Sequence, residues 1–217
     1  NKLRVIYNGV NCELFSPIED KSSIRRMLSL PEKQFIILFV GQLKKGKGIF
    51  DLLEMAKLLI EKNKEFLVLF VGKEIDPQVA EEFRYSIIEN NLSEYISLIG
   101  QKTNIHQYMQ AADILILPSH ENVEGMGRVL FEAMACGITP IGTDLPGINE
   151  VIDNNFGYLV PPHDPKSLYE KVTYLIDSPE ALTMQNIYSR KRAKELFDIE
   201  IHARKVENFY NLIKTLT

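Results

Sequence analysis

Short apolar runs, each closed by glycine or proline, alternate along this chain with segments of helical periodicity, and that alternation leaves few folds open. Phe35-Ile36-Ile37-Leu38-Phe39-Val40 ends at Gly41, Phe66-Leu67-Val68-Leu69-Phe70-Val71 at Gly72, and Tyr95-Ile96-Ser97-Leu98-Ile99 at Gly100. Ile114-Leu115-Ile116-Leu117 ends at Pro118, Ile138-Thr139-Pro140-Ile141 at Gly142, and Gly157-Tyr158-Leu159-Val160 at Pro161. Runs this short that lack polar alternation suit strands buried on both faces. Between them, Gly48 to Ile60 carries a helical stripe of Leu52, Leu53, Ala56, Leu59 and Ile60. The stretches Asp76 to Glu89, Ile105 to Ala112 and Gly127 to Ala135 have the same character. Beyond Pro162 the pattern is wholly helical. Asp164-Pro165 opens one helix, Ser178-Pro179 breaks it, and a last helix is expected from about Ile199 to Leu212. Strand-helix alternation predicts parallel strands joined by right-handed crossovers. The expected fold is α/β: one Rossmann-like, doubly wound, mainly parallel sheet with helices on both faces. Ligands of such sheets bind beyond the carboxyl ends of the strands, so the loops from Gly41, Gly72, Gly100 and Pro118 should surround a site.

Two glycine-rich segments sit on that face. Gly41-Gln42-Leu43-Lys44-Lys45-Gly46-Lys47-Gly48 nearly spells the phosphate loop G-x-x-x-x-G-K-S/T. Gly48 stands where the pattern needs a hydroxyl for Mg²⁺, and no later strand ends in a suitably placed Asp, which argues against an NTPase. Gly46-Lys47-Gly48 and Gly125-Met126-Gly127 each lack the third glycine of a dinucleotide fingerprint. A helix opened by glycine still offers free N–H groups and a favourable dipole to an anion.

The stretch from Ser119 to Gly137 holds two carboxylates around such a helix start. With a diphosphate on the N–H groups of Met126, Gly127 and Arg128, Glu132 lies about five residues along the helix. At ~1.5 Å per residue that is roughly 7 Å, comparable to the step from a diphosphate to its ribose. A carboxylate accepts two hydrogen bonds side by side, which matches a vicinal diol. Glu124, on the loop at the other end, lies where a sugar beyond the phosphates would sit. Two glutamates near a helix start also occur as an N-terminal charge and a solvated face, so spacing alone does not decide between these.

At this point the sequence resembles the retaining glycosyltransferases of family 4, which have the GT-B fold, over nearly its whole length. Val5-Ile6-Tyr7-Asn8-Gly9-Val10 resembles the family's linker between two domains, and Val40-Gly41-Gln42-Leu43 with Lys47-Gly48 its G-R-L-x-x-x-K-G loop. Ala112-Asp113 through Pro118-Ser119 resembles the strand before the site. Glu124 and Glu132 match E-x7-E, and Ala133-Met134-Ala135-Cys136-Gly137 continues that match. Gly147, Glu150 and Gly157-Tyr158-Leu159-Val160 resemble the closing segment. The resemblance implies a C-terminal, nucleotide-sugar-binding domain over residues 1–217. It also implies an N-terminal acceptor domain, absent from this chain, as its partner. Glu124 and Lys47 would be the catalytic pair: Glu124 contacts the donor sugar and Lys47 neutralises the leaving diphosphate. Gly41 and Gln42, with the backbone of Gly125, Met126, Gly127, Arg128 and Val129, would line the donor. Glu132 would hold the ribose hydroxyls, and the Gln101-Lys102-Thr103 loop would meet the base. The activity implied is transfer of a hexosyl or related group from a nucleoside-diphosphate sugar, and this chain alone is expected to bind nucleotide without transferring sugar. The alternative is a non-catalytic nucleotide-sugar-binding module. A sugar-nucleotide epimerase would need other carboxylates.

Gln42 departs from the family, which has Arg there. It donates hydrogen bonds but brings no charge to a diphosphate, and Lys44, Lys45 and Arg128 are the nearby cations that could compensate. No Asp has another Asp two positions away, so the metal-holding Asp-x-Asp of the other glycosyltransferase fold is missing. No metal and no cofactor are expected. His106, His120, His163 and His202 show no ligand-like spacing, and His120 reads as a loop histidine.

The bulk composition fits this picture. The chain has 217 residues, 45% hydrophobic and 25% charged, with a formal net charge of -4. That is ordinary globular composition, without the basic balance of a nucleic-acid binder. Nothing indicates membrane association: no run approaches about eighteen apolar residues, and there is no polybasic anchor. Two cysteines are too few for a disulfide framework or a zinc cluster, so Cys12 and Cys136 are expected to be reduced thiols of a cytoplasmic protein. The chain opens at Asn1 with a strand-like run, Leu3-Arg4-Val5-Ile6-Tyr7, as if cut from something longer. Phe209, Tyr210, Leu212 and Ile213 form an apolar face on the last helix, expected to help join the two domains.

Overall fold

The computed structural model describes residues 5–153 and 155–216. Six parallel strands form the sheet: β1 (Phe35–Val40), β2 (Phe66–Val71), β3 (Ile96–Gly100), β4 (Ile114–Leu117), β5 (Thr139–Thr143) and β6 (Tyr158–Val160). Their spatial order is β3-β2-β1-β4-β5-β6. The chain therefore winds outward from β1 to β3, then returns to lay β4 beside β1 and winds the other way. That reversal makes a switch point between β1 and β4, the crevice where open α/β sheets bind ligands.

Side-chain alternation explains why the strand sequences are apolar throughout. Ile36 and Leu38 of β1 point into one core with Leu69, Leu115 and Leu117. Ile37 and Phe39 point into the opposite core with Val68, Phe70, Ile114 and Ile116. The first core is covered by α4 (Ile105–Ala111), α5 (Arg128–Ala135) and α6 (Ile148–Val151), and the second by α2 (Ile49–Glu61), α3 (Pro77–Glu89) and α7 (Pro165–Asp177). Aspartates start several helices by accepting from backbone N–H groups: Asp76 from Gln78 and Val79, and Asp164 from Ser167. α8 (Pro179–Arg192), a π-helical turn (Ala193–Phe197) and α9 (Ile199–Leu216) close the chain.

Two features differ from the sequence expectation. Within the run Leu3 to Tyr7, Asn1–Arg4 lie outside the described residues, and Val5–Tyr7 form no strand. This segment runs beside the start of α9: His202 Nδ1–H donates to the Tyr7 carbonyl at 2.7 Å, and Val10 makes a single bridge to Asp198. The other is a helix that no stripe announces, α1 (Lys21–Met27), capped by Asp20. It is pinned by Arg25, which is only 5% exposed and donates to the carbonyls of Ala111, Glu32 and Gln34 and to Asp113 Oδ2 at 2.7 Å. Asp113 also accepts from Lys21 Nζ and from the Ile36 N–H. This network lies at the amino ends of β1 and β4, opposite the crevice. Among the described residues no helix is long and apolar enough to cross a membrane.

Candidate functional site

The loops leaving β1 and β4 meet above the switch point. The β1 loop runs through a 3-10 turn, Lys45–Lys47, to Gly48, which has φ 68° and opens α2. A Cβ on Gly48 would overlap the Pro118 carbonyl oxygen, so only glycine lets the two loops approach this closely. The His120 N–H donates to the Gly46 carbonyl at 2.9 Å and ties them again. The β4 loop is braced from beneath, where Thr143 Oγ1 donates to the buried Ser119 carbonyl at 2.6 Å.

This close approach brings Lys47 and Glu124 together. Lys47 Nζ donates to Glu124 Oε1, and Ser119 Oγ donates to the same oxygen at 3.2 Å. Both charged side chains are largely shielded, at 15% and 14% exposure. Beyond Glu124 the loop passes Gly125, where it presses on α6: a Cβ on Gly147 would overlap the Gly125 carbonyl. α5 starts at Arg128, one residue after the expected start, with Gly127 as its N-cap, and no side chain caps that end. The first-turn N–H groups of α5, at Arg128 and Val129, are therefore left to an incoming acceptor.

Glu132 projects from α5 with 14% of its side chain exposed. Burial raises its pKa above the usual carboxylate range, and the Arg128 guanidinium, at 3.4 Å, partly offsets that. Arg128 itself is mostly exposed. Of the cations weighed against Gln42, Lys45 is held by Glu82 at 2.7 Å, Arg128 reaches toward Glu132, and Lys44 is exposed. Gln42 is exposed between β1 and the single Leu43–Glu74 bridge, and Lys102 is exposed in the loop after β3. Gly41 closes β1, its N–H donating to the Val71 carbonyl.

Sequence reasoning did not single out Ser119 as a partner of Glu124. It also missed the meeting of His120 with Asp51 and His163. The His120 contacts join residues far apart in the chain, and no local spacing encodes them; Ser119 lies five residues before Glu124, but only the folded loop turns its hydroxyl onto that carboxylate. Cys12 and Cys136 are buried, and burial pushes their thiols up to about 11 and about 12, outside the reactive range.

A six-stranded parallel sheet with helices on both faces is a Rossmann-like domain of the type found in GT-B glycosyltransferases. The chain belongs to the family described as glycosyl transferases group 1, whose model matches residues 20–192. It is 28% identical over 214 residues to the UDP-Gal:alpha-D-GlcNAc-diphosphoundecaprenol alpha-1,3-galactosyltransferase of Escherichia coli, covering 96% of this chain and 54% of that protein. A glycosyltransferase from Rickettsia africae superposes with a TM-score of 0.89 at 25% identity, over 100% of this chain and 58% of the other. The C-terminal domain of a glycosyl transferase group 1 family protein from Francisella tularensis superposes with a TM-score of 0.78 at 24% identity, over 88% of this chain and 100% of that domain. The chain thus spans about half the length of the curated relatives it matches.

Proposed function

We propose that this chain is the donor-binding, C-terminal half of a retaining family 4 glycosyltransferase, and that it holds a nucleoside-diphosphate sugar between Lys47, Glu124 and α5. The observation that carries this reading is the Lys47–Glu124 pair facing the uncapped start of α5 at the sheet's switch point. The diphosphate would rest on the α5 N–H groups and draw the Lys47 ammonium away from Glu124. Glu132 would accept from the ribose hydroxyls, and Glu124, released from Lys47, would accept from the sugar. When the bond between the anomeric carbon and the phosphate oxygen breaks, its electron pair goes to the diphosphate, where the Lys47 charge and the helix dipole stabilise it without a divalent metal. An acceptor held by an N-terminal domain, with α9 and its exposed Tyr210 at the junction, would bond its hydroxyl oxygen to the anomeric carbon and pass the hydroxyl proton to the departing phosphate oxygen. Without that domain the chain should bind but not transfer. The E. coli relative is named for a UDP sugar, so UDP conjugates are the first donors to test.

Thermal unfolding with UDP, GDP, ADP and their sugar conjugates, on wild type and Glu132→Ala, tests the reading. A ligand that binds only the folded chain adds about 2.7 kcal/mol at a hundredfold excess over Kd. The expected result is a shift with one base that Glu132→Ala loses. No shift with any nucleotide, in this chain and again after joining an acceptor domain, would overturn it. Binding without transfer in the joined protein would instead favour a non-catalytic module, the reading that the uncharged Gln42 supports.

A further inference from the structure

Asp51, His120 and His163 come from three separate parts of the chain: the first turn of α2, the loop after β4, and the loop between β6 and α7. Each offers one ligand atom, and the three atoms lie within 4.8 Å of one another. His120 Nε2 is 2.8 Å from Asp51 Oδ2. The rings of His120 and His163 face each other at 3.7 Å with a 36° tilt. His163 Nε2 lies 3.0 Å from Glu121 Oε2. His163 also holds φ at 56°, a left-handed conformation that costs a non-glycine residue about 1 kcal/mol or more.

We propose that Asp51, His120 and His163 form a binding site for a divalent transition metal of the zinc type, with Glu121 orienting His163. Two imidazoles and one carboxylate are the donor set such ions take when one position is left open. Metal–ligand bonds of ~2.0–2.2 Å place tetrahedral ligand atoms about 3.4 Å apart. The observed ligand atoms bracket that spacing, from 2.8 Å between His120 Nε2 and Asp51 Oδ2 to within 4.8 Å across the cluster. Glu121 supplies the outer hydrogen bond that fixes the ring of a metal-bound histidine, its Oε2 accepting from Nε2–H of His163 and leaving Nδ1 for the ion. A salt-bridged anchor between the β4 loop and α2 needs only Asp51 and His120. The second imidazole, held at a backbone cost, is what the anchor does not require and a metal does. Asp51 and His120 are shielded at 16% and 20% exposure, while His163, at 56%, leaves the site open to solvent.

None of its ligands is Lys47, Glu124 or an α5 N–H group, so the ion is assigned no part in stabilising the leaving group. It would bolt the loop that carries Ser119 and Glu124 to the helix that follows Lys47. This inference rests on the cluster and is independent of the proposed donor chemistry.

Isothermal titration of Zn²⁺ into the chelator-treated chain, with Co²⁺ absorption as the spectroscopic readout, tests it. One saturable ion per chain is expected. His163→Gly relieves the left-handed backbone, so it should fold at least as well as wild type while binding Zn²⁺ at least tenfold more weakly. Asp51→Asn should weaken binding similarly, and His106→Ala, outside the cluster, should not. The Co²⁺ spectrum should change with the same variants. No saturable Zn²⁺ binding, or binding that His163→Gly and Asp51→Asn leave intact, overturns the proposal.

Discussion

Lys47 and Glu124, 77 residues apart in sequence, share an ion pair across the switch point of the sheet, and each is largely shielded from water by the other's loop. The pair occupies the place where a diphosphate and a sugar would divide between them. On the proposed reading, a bound diphosphate would compete with Glu124 for one ammonium. Ligand-free and ligand-bound forms would then exchange one counter-ion for another, and neither would leave the lysine charge uncompensated.

That competition predicts opposite outcomes for two truncations. Lys47→Ala leaves the Glu124 carboxylate unpaired beside the phosphates and should weaken UDP binding by roughly ten- to a hundredfold, the equivalent of about 1.5–3 kcal/mol for a lost charge-assisted hydrogen bond. Glu124→Gln frees the ammonium, so UDP should bind as well as before or better, while transfer by a protein carrying the acceptor domain falls. Calorimetric titration of UDP separates them. Equal loss in both variants would mean that the pair only braces the loops.

Gly48 sets how closely those loops approach. Gly48→Ala combines a φ of 68° with overlap of the Pro118 carbonyl, so it cannot be accommodated by a side-chain shift. The expected cost is about 2 kcal/mol or more, with the Lys47 loop pushed away from β4 and UDP affinity reduced even in the folded fraction. Urea unfolding measures the first effect and titration below the transition the second. An alanine variant as stable as wild type would show that the approach is not fixed by this glycine.

The network around Asp113 makes a contrasting prediction, because it sits at the opposite end of the sheet. Arg25→Ala strips Asp113 of the more buried of its two cationic partners and removes the guanidinium donor from the carbonyls of Ala111, Glu32 and Gln34. Breaking a buried pair from one side costs about 3–5 kcal/mol, and Lys21 and the Ile36 N–H keep the loss near the lower end. The urea midpoint should fall while the Kd for nucleotide in the folded state stays unchanged. A changed Kd would show that the two ends of β4 are coupled.

The same contrasts mark what the sequence could disclose. Strands such as β1 and β2 were legible because burial on both faces demands six successive apolar residues, and the glycines closing them marked the ligand face. The helix start at Gly127, with Glu124 on the loop before it and Glu132 within α5, was legible because all three lie on one short stretch between β4 and Gly137. α1 was not, because its seven residues carry no stripe and depend on Asp20 and on Arg25 reaching Asp113. The Val5–Tyr7 run was misjudged because apolar character alone does not say whether a segment finds a strand partner; here its partner is the start of α9. The Lys47–Glu124 pair and the Asp51–His120–His163 cluster arise only when crossovers bring distant loops together, which no spacing in the sequence expresses.

Glu132 ties stability to function most directly. Burial raises its pKa above the ordinary 4.5, with Arg128 only partly offsetting. The folded chain therefore binds this proton more tightly than the unfolded chain, and between the two pKa values stability falls as pH rises. The penalty is complete above the folded value and absent below the unfolded one. Glu132→Gln removes the buried charge, so the ligand-free variant should melt higher than wild type near neutral pH, and the difference should shrink to nothing as pH drops below about 4.5. Nucleotide should reverse the order near neutral pH. On the proposed reading the ribose hydroxyls would donate to this carboxylate, so wild type should gain more from UDP than the variant, and its UDP affinity should weaken as acid protonates Glu132. Melting both proteins across pH, with and without UDP, reads all of this in one experiment. A glutamine variant that is less stable at every pH would mean the Arg128 contact outweighs burial. One that binds UDP as tightly as wild type would remove Glu132 from the ribose.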